Sequence, residues 1–218
     1  MQHINSSQLQ VMSNRYRAQL VNSLSGFKSA NLIGTIDNQQ QTNLAIFSSV
    51  AHLGSSPALL GFIMRPDSVE RHTLENIKAT KQYTINQVNQ QIWQSAHQTS
   101  ARYLKNECEF EKTGLTTEFI EGVGAPFVKE SQLKYLLTLQ EIVPIKANNT
   151  SFVIGEITDI LCQQSAIKKD GYIDIESLNT VALSGLDSYH TTQRLSRLSY
   201  AKTETAAKAI SIDGNGSE

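Results

Sequence analysis

Several features that would assign this chain to a common class of protein are scarce or missing. Two cysteines occur, Cys108 and Cys162, and they belong to no spacing typical of metal sites. The five histidines form no HxxxH or similar pair, so we expect no metal site. No apolar run is long enough to span a membrane. Because the first residues lack the charged start and apolar block of a signal peptide, the expected location is cytoplasmic.

Charge and nucleotide-binding motifs exclude further classes. The 19 basic residues against 20 acidic ones give a net charge of -1, which offers no electrostatic support for binding nucleic acid or an anionic membrane. There is no strand–GxGxxG–helix unit and no P-loop, so neither kind of nucleotide site is expected. No serine has a GxSxG context. Cys108 lies between two glutamates, which disfavour a thiolate, and Cys162 lies in an apolar run, so we expect neither to be a nucleophile.

Short apolar segments separated by polar turns dominate the pattern that is present. They predict strands over residues 30–36, 43–50, 58–64, 83–88, 136–145, 151–161 and 180–183. The connections between the first three are too short for a parallel crossover, which predicts antiparallel hairpins. Helices are predicted over residues 67–80 and 91–105, with a short surface helix within residues 1–14 and an irregular excursion over residues 106–133.

This organisation predicts a mainly β fold, an antiparallel barrel with inserted helices. At 218 residues the chain fits one large domain. We assign that domain to residues 1–202, and the polar composition of residues 203–218 predicts a disordered tail.

The stretch over residues 42–66 organises the rest of the chain. In its first strand Leu44, Ile46 and Val50 share one face, and the other face carries Asn43, Ala45, Phe47 and Ser49. The turn over residues 54–57 is small and rich in hydroxyl groups, so it can hold a phosphate, although an ordinary hairpin explains the same residues. Arg65 directly follows the second strand and fits either an anion clamp or a structural ion pair.

The same stretch, NLAIFSSVAHLGSSPALLGFIMRP, resembles the flavin reductase-like family of FMN-binding split barrels when it is taken with motifs on either side. Those motifs are NSLSGFK (residues 22–28), LIGT (32–35), RHTLENI (71–77), YTIN (83–86), AHQTSA (96–101), APFVKES (125–131) and GLDSY (185–189). The resemblance extends from about residue 17 to residue 202. Three positions depart from the family pattern: residues 38–41 lack an expected glycine, Lys81 stands where a glycine is frequent, and Ala58 replaces a frequent proline.

The resemblance implies a Greek-key split barrel that forms a homodimer and binds FMN non-covalently near the subunit interface. Carried over by position, it implies flavin contacts from three groups of residues. Ser48, Ser49 and Ser55 would hold the phosphate or ribityl chain, Asn43, Ala45, Phe47 and Val50 would border the isoalloxazine ring, and Arg65, His72, Thr73 and Asn76 would complete the phosphate end. Lys28, Asn22 and His97 are further candidates for the flavin or pyridine-nucleotide side.

The activity implied by the resemblance is NAD(P)H-dependent flavin reduction, with hydride transfer from NADH or NADPH to flavin N5. The cofactor carries this chemistry, so no ionisable catalytic residue is required. An oxygenase or another redox partner would then take the electrons. Because no pyridine-nucleotide motif is recognisable, a non-enzymatic FMN-binding electron carrier or flavin store is the alternative, and a barrel that has lost its cofactor is a third.

Overall fold

The chain is built mainly of antiparallel strands in the computed structural model, which describes residues 1–66 and 70–214. The helices are α1 (Ser6–Val11), α2 (Asn14–Ser23), α3 (His72–Thr80), α4 (Trp93–Gln98) and α5 (Glu109–Thr113), with a 3-10 turn at Gln164–Ala166. The strands are β1 (Lys28–Ser29), β2 (Asn31–Ile36), β3 (Thr42–Phe47), β4 (Ala51–Ser55), β5 (Ala58–Met64), β6 (Gln82–Gln87), β7 (Thr117–Glu118), β8 (Phe127–Val128), β9 (Leu133–Ile145), β10 (Thr150–Cys162), β11 (Ala182–Ser184), β12 (Ser188–His190), β13 (Arg197–Leu198) and β14 (Ala209–Ile210).

Seven of these strands form one antiparallel sheet in the order β3-β2-β6-β9-β10-β5-β4. The two strands at its ends, β3 and β4, are consecutive in the chain and are joined by residues 48–50 alone. A flat sheet of seven strands would hold its end strands about 29 Å apart. The connection from Phe47 to Ala51 can span at most about 14 Å. The sheet therefore curls into a barrel that stays open between β3 and β4, which confirms the predicted split barrel.

Both faces of the sheet are buried near β2, where every residue from Asn31 to Ile36 is buried. One face forms the barrel interior, where apolar side chains from β2, β5, β6, β9 and β10 pack together: Ile33, Phe62, Tyr83, Ile85, Leu137 and Val153. The other face packs against α4, α5 and the segment before β11, through Leu32, Leu44, Val88, Ala96, Phe110 and Val181. β3 contributes to both clusters, so it is held from both sides.

Most of the predicted strands are confirmed to within three residues at either end, but four predictions differ from the structure. The strand predicted over residues 43–50 stops at Phe47, because the chain must cross there to the other end of the sheet. The predicted helix over residues 67–80 begins at His72, and residues 67–69 lie outside the described part. The helix predicted over residues 91–105 ends at Gln98, and Leu104, expected to face inward, is 69% exposed. The segment over residues 14–23, for which no helix was predicted, is α2.

The tail that begins at residue 203 contains a short strand, β14, which its polar composition did not predict. β14 pairs with β13, and Arg197 Nη1 donates a hydrogen bond to the carbonyl of Ile212 at 2.6 Å. The Arg197 guanidinium lies over the Tyr172 ring at 4.3 Å. The domain boundary at residue 202 stays a prediction, and residues 215–218 lie outside the described part. Within residues 1–66 and 70–214, none of the helices has the length and apolar character needed to cross a membrane.

Two of the positions that depart from the family pattern have left-handed backbone. Gln40, in the turn between β2 and β3, has a φ of 67°, and Lys81, which ends α3, has a φ of 64°. The backbone N–H of Lys81 donates to the carbonyl of Ile77 at 2.9 Å and closes the helix. Glycine adopts this conformation without steric cost, whereas a residue with a Cβ is strained by roughly 1–2 kcal/mol.

Replacing Lys81 by glycine should therefore stabilise the fold. Relief of the left-handed strain outweighs the extra freedom that glycine gives the unfolded chain, so the free energy of unfolding should rise by about 0.5–1 kcal/mol. Lys78→Gly, at an exposed site within the same helix, should lower it by about 1 kcal/mol. Urea denaturation with a constant m-value measures both. Equal decreases in the free energy of unfolding of the two variants would show that the backbone at Lys81 is not strained.

Candidate functional site

The strand β3 presents its two faces to two different clusters. Leu44 and Ile46 pack on the cluster that covers the outside of the barrel. Phe47 packs in the interior, where its ring meets that of Phe62 edge-to-face at 4.9 Å. Ala45 is half-buried. The predicted alternation is thus confirmed as far as Phe47. It is wrong for Val50, which packs in the interior with Phe47, because the chain is no longer a strand there.

The junction over residues 48–50 closes the barrel through a serine side chain. Ser49 Oγ accepts a hydrogen bond from the backbone N–H of Ile63 at 3.1 Å and donates one to the carbonyl of Ile63 at 3.3 Å. Since β4 pairs Ala51 with Gly61, Ile63 is the next residue whose backbone groups face this edge. The Ser49 hydroxyl therefore continues the ladder where the backbone of β4 has ended. Ser48, the preceding residue, is half-buried at the same opening.

A buried polar network fastens α3 to the edge of the sheet. Asn43 Nδ2 donates to Thr73 Oγ1 at 3.0 Å and to Thr35 Oγ1 at 3.2 Å, and Asn76 Nδ2 donates to Thr35 Oγ1 at 3.2 Å. All four side chains are buried. The structure thus brings together three of the predicted site residues, Asn43, Thr73 and Asn76. The amide groups of Asn43 and Asn76 donate to the hydroxyl groups of Thr73 and Thr35, which gives these side chains a role in positioning α3.

His72, the first residue of α3, leaves a polar atom free beside this network. Its Nε2 is buried and has no hydrogen-bond partner among the described residues, and the nearest carboxylate, that of Glu70, is 3.6 Å away. His72 lines a small cleft that opens beside β3, together with Asp37, Gln41, Thr42, Asn43, Asn76, Lys105 and Glu107. A buried nitrogen without a partner costs free energy, which a ligand with a matching polar group would recover.

The remaining predicted residues lie elsewhere. Ser55 is exposed at the end of β4, and Arg65 is exposed directly after β5, as predicted for a residue at the barrel rim. Lys28 Nζ donates to the carbonyls of Asn22 and Gly185, at 3.1 and 2.7 Å, and so links α2 to the turn before β12.

The two further candidates also make contacts within the protein. Asn22 Nδ2 donates to the carbonyl of Ala18 within α2 at 2.8 Å. His97 Nδ1 lies 3.1 Å from Tyr189 Oη, and the two rings meet edge-to-face.

One buried residue that contacts β3 was not among those predicted from the sequence. Glu109, the first residue of α5, accepts a hydrogen bond from the backbone N–H of Leu44 at 3.1 Å. Desolvation raises the pKa of the Glu109 carboxyl above its ordinary value, although the Leu44 N–H and the nearby His72 oppose the shift. The helix around it is five residues long, too short to show periodicity, and Gly114 after it was the available signal of a helix end.

Comparison with known proteins assigns the chain to a family. The family model of the flavin reductase like domain matches residues 24–176, which include β3, the junction, α3 and α5. The chain belongs to the flavin reductase-like family. As a member of this family it is a flavin oxidoreductase.

Three similar proteins illustrate the range of this family and fold. One is a flavin reductase with split barrel domain from Shewanella frigidimarina NCIMB 400, whose structure has been solved. It is 54% identical to this chain, and the two structures superimpose with a TM-score of 0.89. The match covers 92% of this chain and 100% of the Shewanella chain. The structure of nitrilotriacetate monooxygenase component B from Bacillus cereus has the same fold at 18% identity, with a TM-score of 0.79 and coverage of 91% and 98%. An uncharacterized protein of Aquifex aeolicus is 25% identical over 155 residues, which are 70% of this chain and 78% of its own.

The residues around the opening between β3 and β4 fit a flavin nucleotide. Such a ligand needs an apolar wall for its ring and polar groups for its ribityl phosphate. Phe47 and Val50, both partly accessible, offer the apolar wall. The buried Nε2 of His72 and the hydroxyl of Ser48 offer polar groups at the two ends of β3.

The two adjacent serines of the junction should differ in their effect on stability. Ser49→Ala removes both bonds to Ile63 and leaves a backbone N–H unpaired, so we expect the free energy of unfolding to fall by about 1–2 kcal/mol. Ser48→Ala, the matched control, should change it by less than about 0.5 kcal/mol. Chemical denaturation of both variants measures the difference. An Ser49→Ala variant as stable as the wild type would show that its hydroxyl does not close the barrel.

Proposed function

We propose that the chain is an NAD(P)H-dependent flavin reductase that binds FMN non-covalently at the opening between β3 and β4. The observation that carries this proposal is the buried Nε2 of His72, which has no hydrogen-bond partner among residues 1–66 and 70–214 and lies 3.6 Å from the Glu70 carboxylate. It lies beside the strand whose motifs resemble the family's flavin strand. Bound FMN supplies the hydride acceptor, the flavin N5, and NADH or NADPH is the donor. The chain contributes binding and orientation.

Each group of residues has a distinct part in holding FMN. Phe47 and Val50 border the isoalloxazine ring together with Ala45, and Ser48 bonds the ribityl chain. His72 and Arg65 bind the phosphate, whereas Ser55 pairs with Ala58 at the opposite end of β5 from Arg65 and takes no part in this site. Asn43, Thr73, Asn76 and Ser49 fix the position of these groups through the bonds described above.

The oligomeric state, the redox partner and the cellular location are further proposals. We expect a homodimer, and the exposed apolar residues Tyr16, Val21 and Leu24 along α2 give it a surface to bury. An oxygenase would take the reduced flavin. Both cysteines are free, which suits the reducing cytoplasm.

Anaerobic reduction tests the activity. Mixing the protein and FMN with NADH or with NADPH should bleach the visible absorbance of the flavin on the order of seconds. FMN binding without reduction by either donor would overturn the reductase and support the electron carrier instead. Failure to bind FMN at all would overturn both.

The role of His72 is tested by comparing two flavins. His72→Leu should weaken FMN binding about tenfold, the loss expected for one hydrogen bond to a charged group. Binding of riboflavin, which lacks the phosphate, should change by less than about twofold. His52→Leu, which alters an exposed histidine on β4, is the matched control. Equal losses for FMN and riboflavin would mean that His72 does not bind the phosphate.

A further inference from the structure

The backbone of β3 is held along its outer edge by α5. β3 lies at one end of the seven-stranded sheet, so the groups on its outer side face no strand of that sheet. The N–H of Leu44 points to this side and donates to Glu109 Oε2 at 3.1 Å. The Glu109 side chain reaches it from the first turn of α5 and is itself buried, at 7% exposure.

Two further contacts keep α5 in place against the strand. Phe110, next to Glu109, is 1% exposed and packs in the same cluster as Leu44. Cys108 Sγ lies 3.2 Å from Thr42 Oγ1, and Thr42 is two residues before Leu44 in β3. Cys108, the N-cap of α5, and Glu109 thus contact Thr42 and Leu44, which are alternate residues of β3. The contact at Thr42 is between side chains, and the contact at Leu44 holds the strand backbone itself.

We propose that Glu109 is a positioning residue for the flavin, acting through the backbone of β3. Its hydrogen bond fixes Leu44 one residue before Ala45 and three before Phe47, so it sets the depth and angle at which these side chains meet the ring. This role rests on the proposed function, since it presumes that FMN lies along β3. It needs a hydrogen-bond acceptor at the end of a side chain of this length, and it does not need the negative charge.

Substitutions at Glu109 can separate the effect of side-chain length from the effect of charge. Glu109→Gln keeps the length and an acceptor oxygen but removes the charge. Glu109→Asp keeps the charge but is one methylene too short to reach Leu44. Glu109→Leu keeps the approximate volume, removes the acceptor and serves if the aspartate variant does not fold. Glu111→Gln and Glu111→Asp, at an exposed position of the same helix, are the matched controls.

The experiment measures FMN affinity by fluorescence titration and the exchange rate of the Leu44 amide by NMR without flavin. We expect Glu109→Gln to bind FMN within about threefold of the wild type and to keep the Leu44 amide protected. Glu109→Asp and Glu109→Leu should bind about tenfold more weakly, with Leu44 exchanging about tenfold faster, because the hydrogen bond to the Leu44 N–H is lost. Both control variants should match the wild type. Thermal unfolding is recorded for each variant.

If the wild-type protein binds FMN, three outcomes would overturn the proposal. Impaired binding in Glu109→Gln with normal binding in Glu109→Asp would assign the role to charge. Faster exchange at Leu44 with unchanged FMN affinity would reduce Glu109 to a structural residue. Unchanged exchange in Glu109→Asp and Glu109→Leu would show that no such clamp exists. A wild-type protein that binds no FMN would instead overturn the proposed function and the flavin-positioning role with it, while the exchange rates would still decide whether the clamp itself is present.

Discussion

Closure of the barrel by three residues is the constraint on which the rest of the structure depends. β3 and β4 stand at opposite ends of a seven-stranded sheet, yet the chain passes from one to the other through residues 48–50. The sheet has to curl until its two ends meet, and a hydroxyl group, that of Ser49, completes the hydrogen bonding at the meeting point. The opening that remains beside Ser48 and Phe47 is therefore a necessary product of the topology. It is also where the proposed flavin site lies.

An end strand beside an opening needs support, and here the support is polar and buried. Asn43 joins β3 to α3 through Thr73, while Glu109 joins it to α5 through the backbone of Leu44. Buried hydrogen bonds add little net stability, but leaving one partner unsatisfied is costly, so such bonds specify one arrangement of the elements. A flavin oxidoreductase gains from this rigidity because orientation of the ring is what the protein contributes.

Much of the fold could be predicted because local patterns carry it. β5, over Ala58–Met64, and the long hairpin of β9 and β10 follow directly from apolar runs bounded by turns. The break at Ser48 could not be seen, since it results from the crossing between sheet ends and not from any local breaker. The helix predicted over residues 91–105 stops at Gln98, with Thr99 as its C-cap, and no glycine or proline in residues 99–105 marks this end. Gln40 and Lys81 show the converse, because the family pattern has a glycine within residues 38–41 and at Lys81, and both residues have the left-handed backbone that glycine favours.

The candidate site could be located only in part from the sequence. Most residues carried over from the family pattern lie around β3 and α3, whereas Ser55 and Lys28 lie elsewhere. The proposed division into ligand-binding and structural groups required distances, as for Asn43 and Ser49. Glu109 lies 65 residues from its partner Leu44, and no local pattern links them. A crystal structure of the protein with FMN tests the account most directly. We predict the ring against Phe47 and Val50 and the phosphate within hydrogen-bond distance of His72 Nε2; FMN bound away from the opening between β3 and β4 would contradict it.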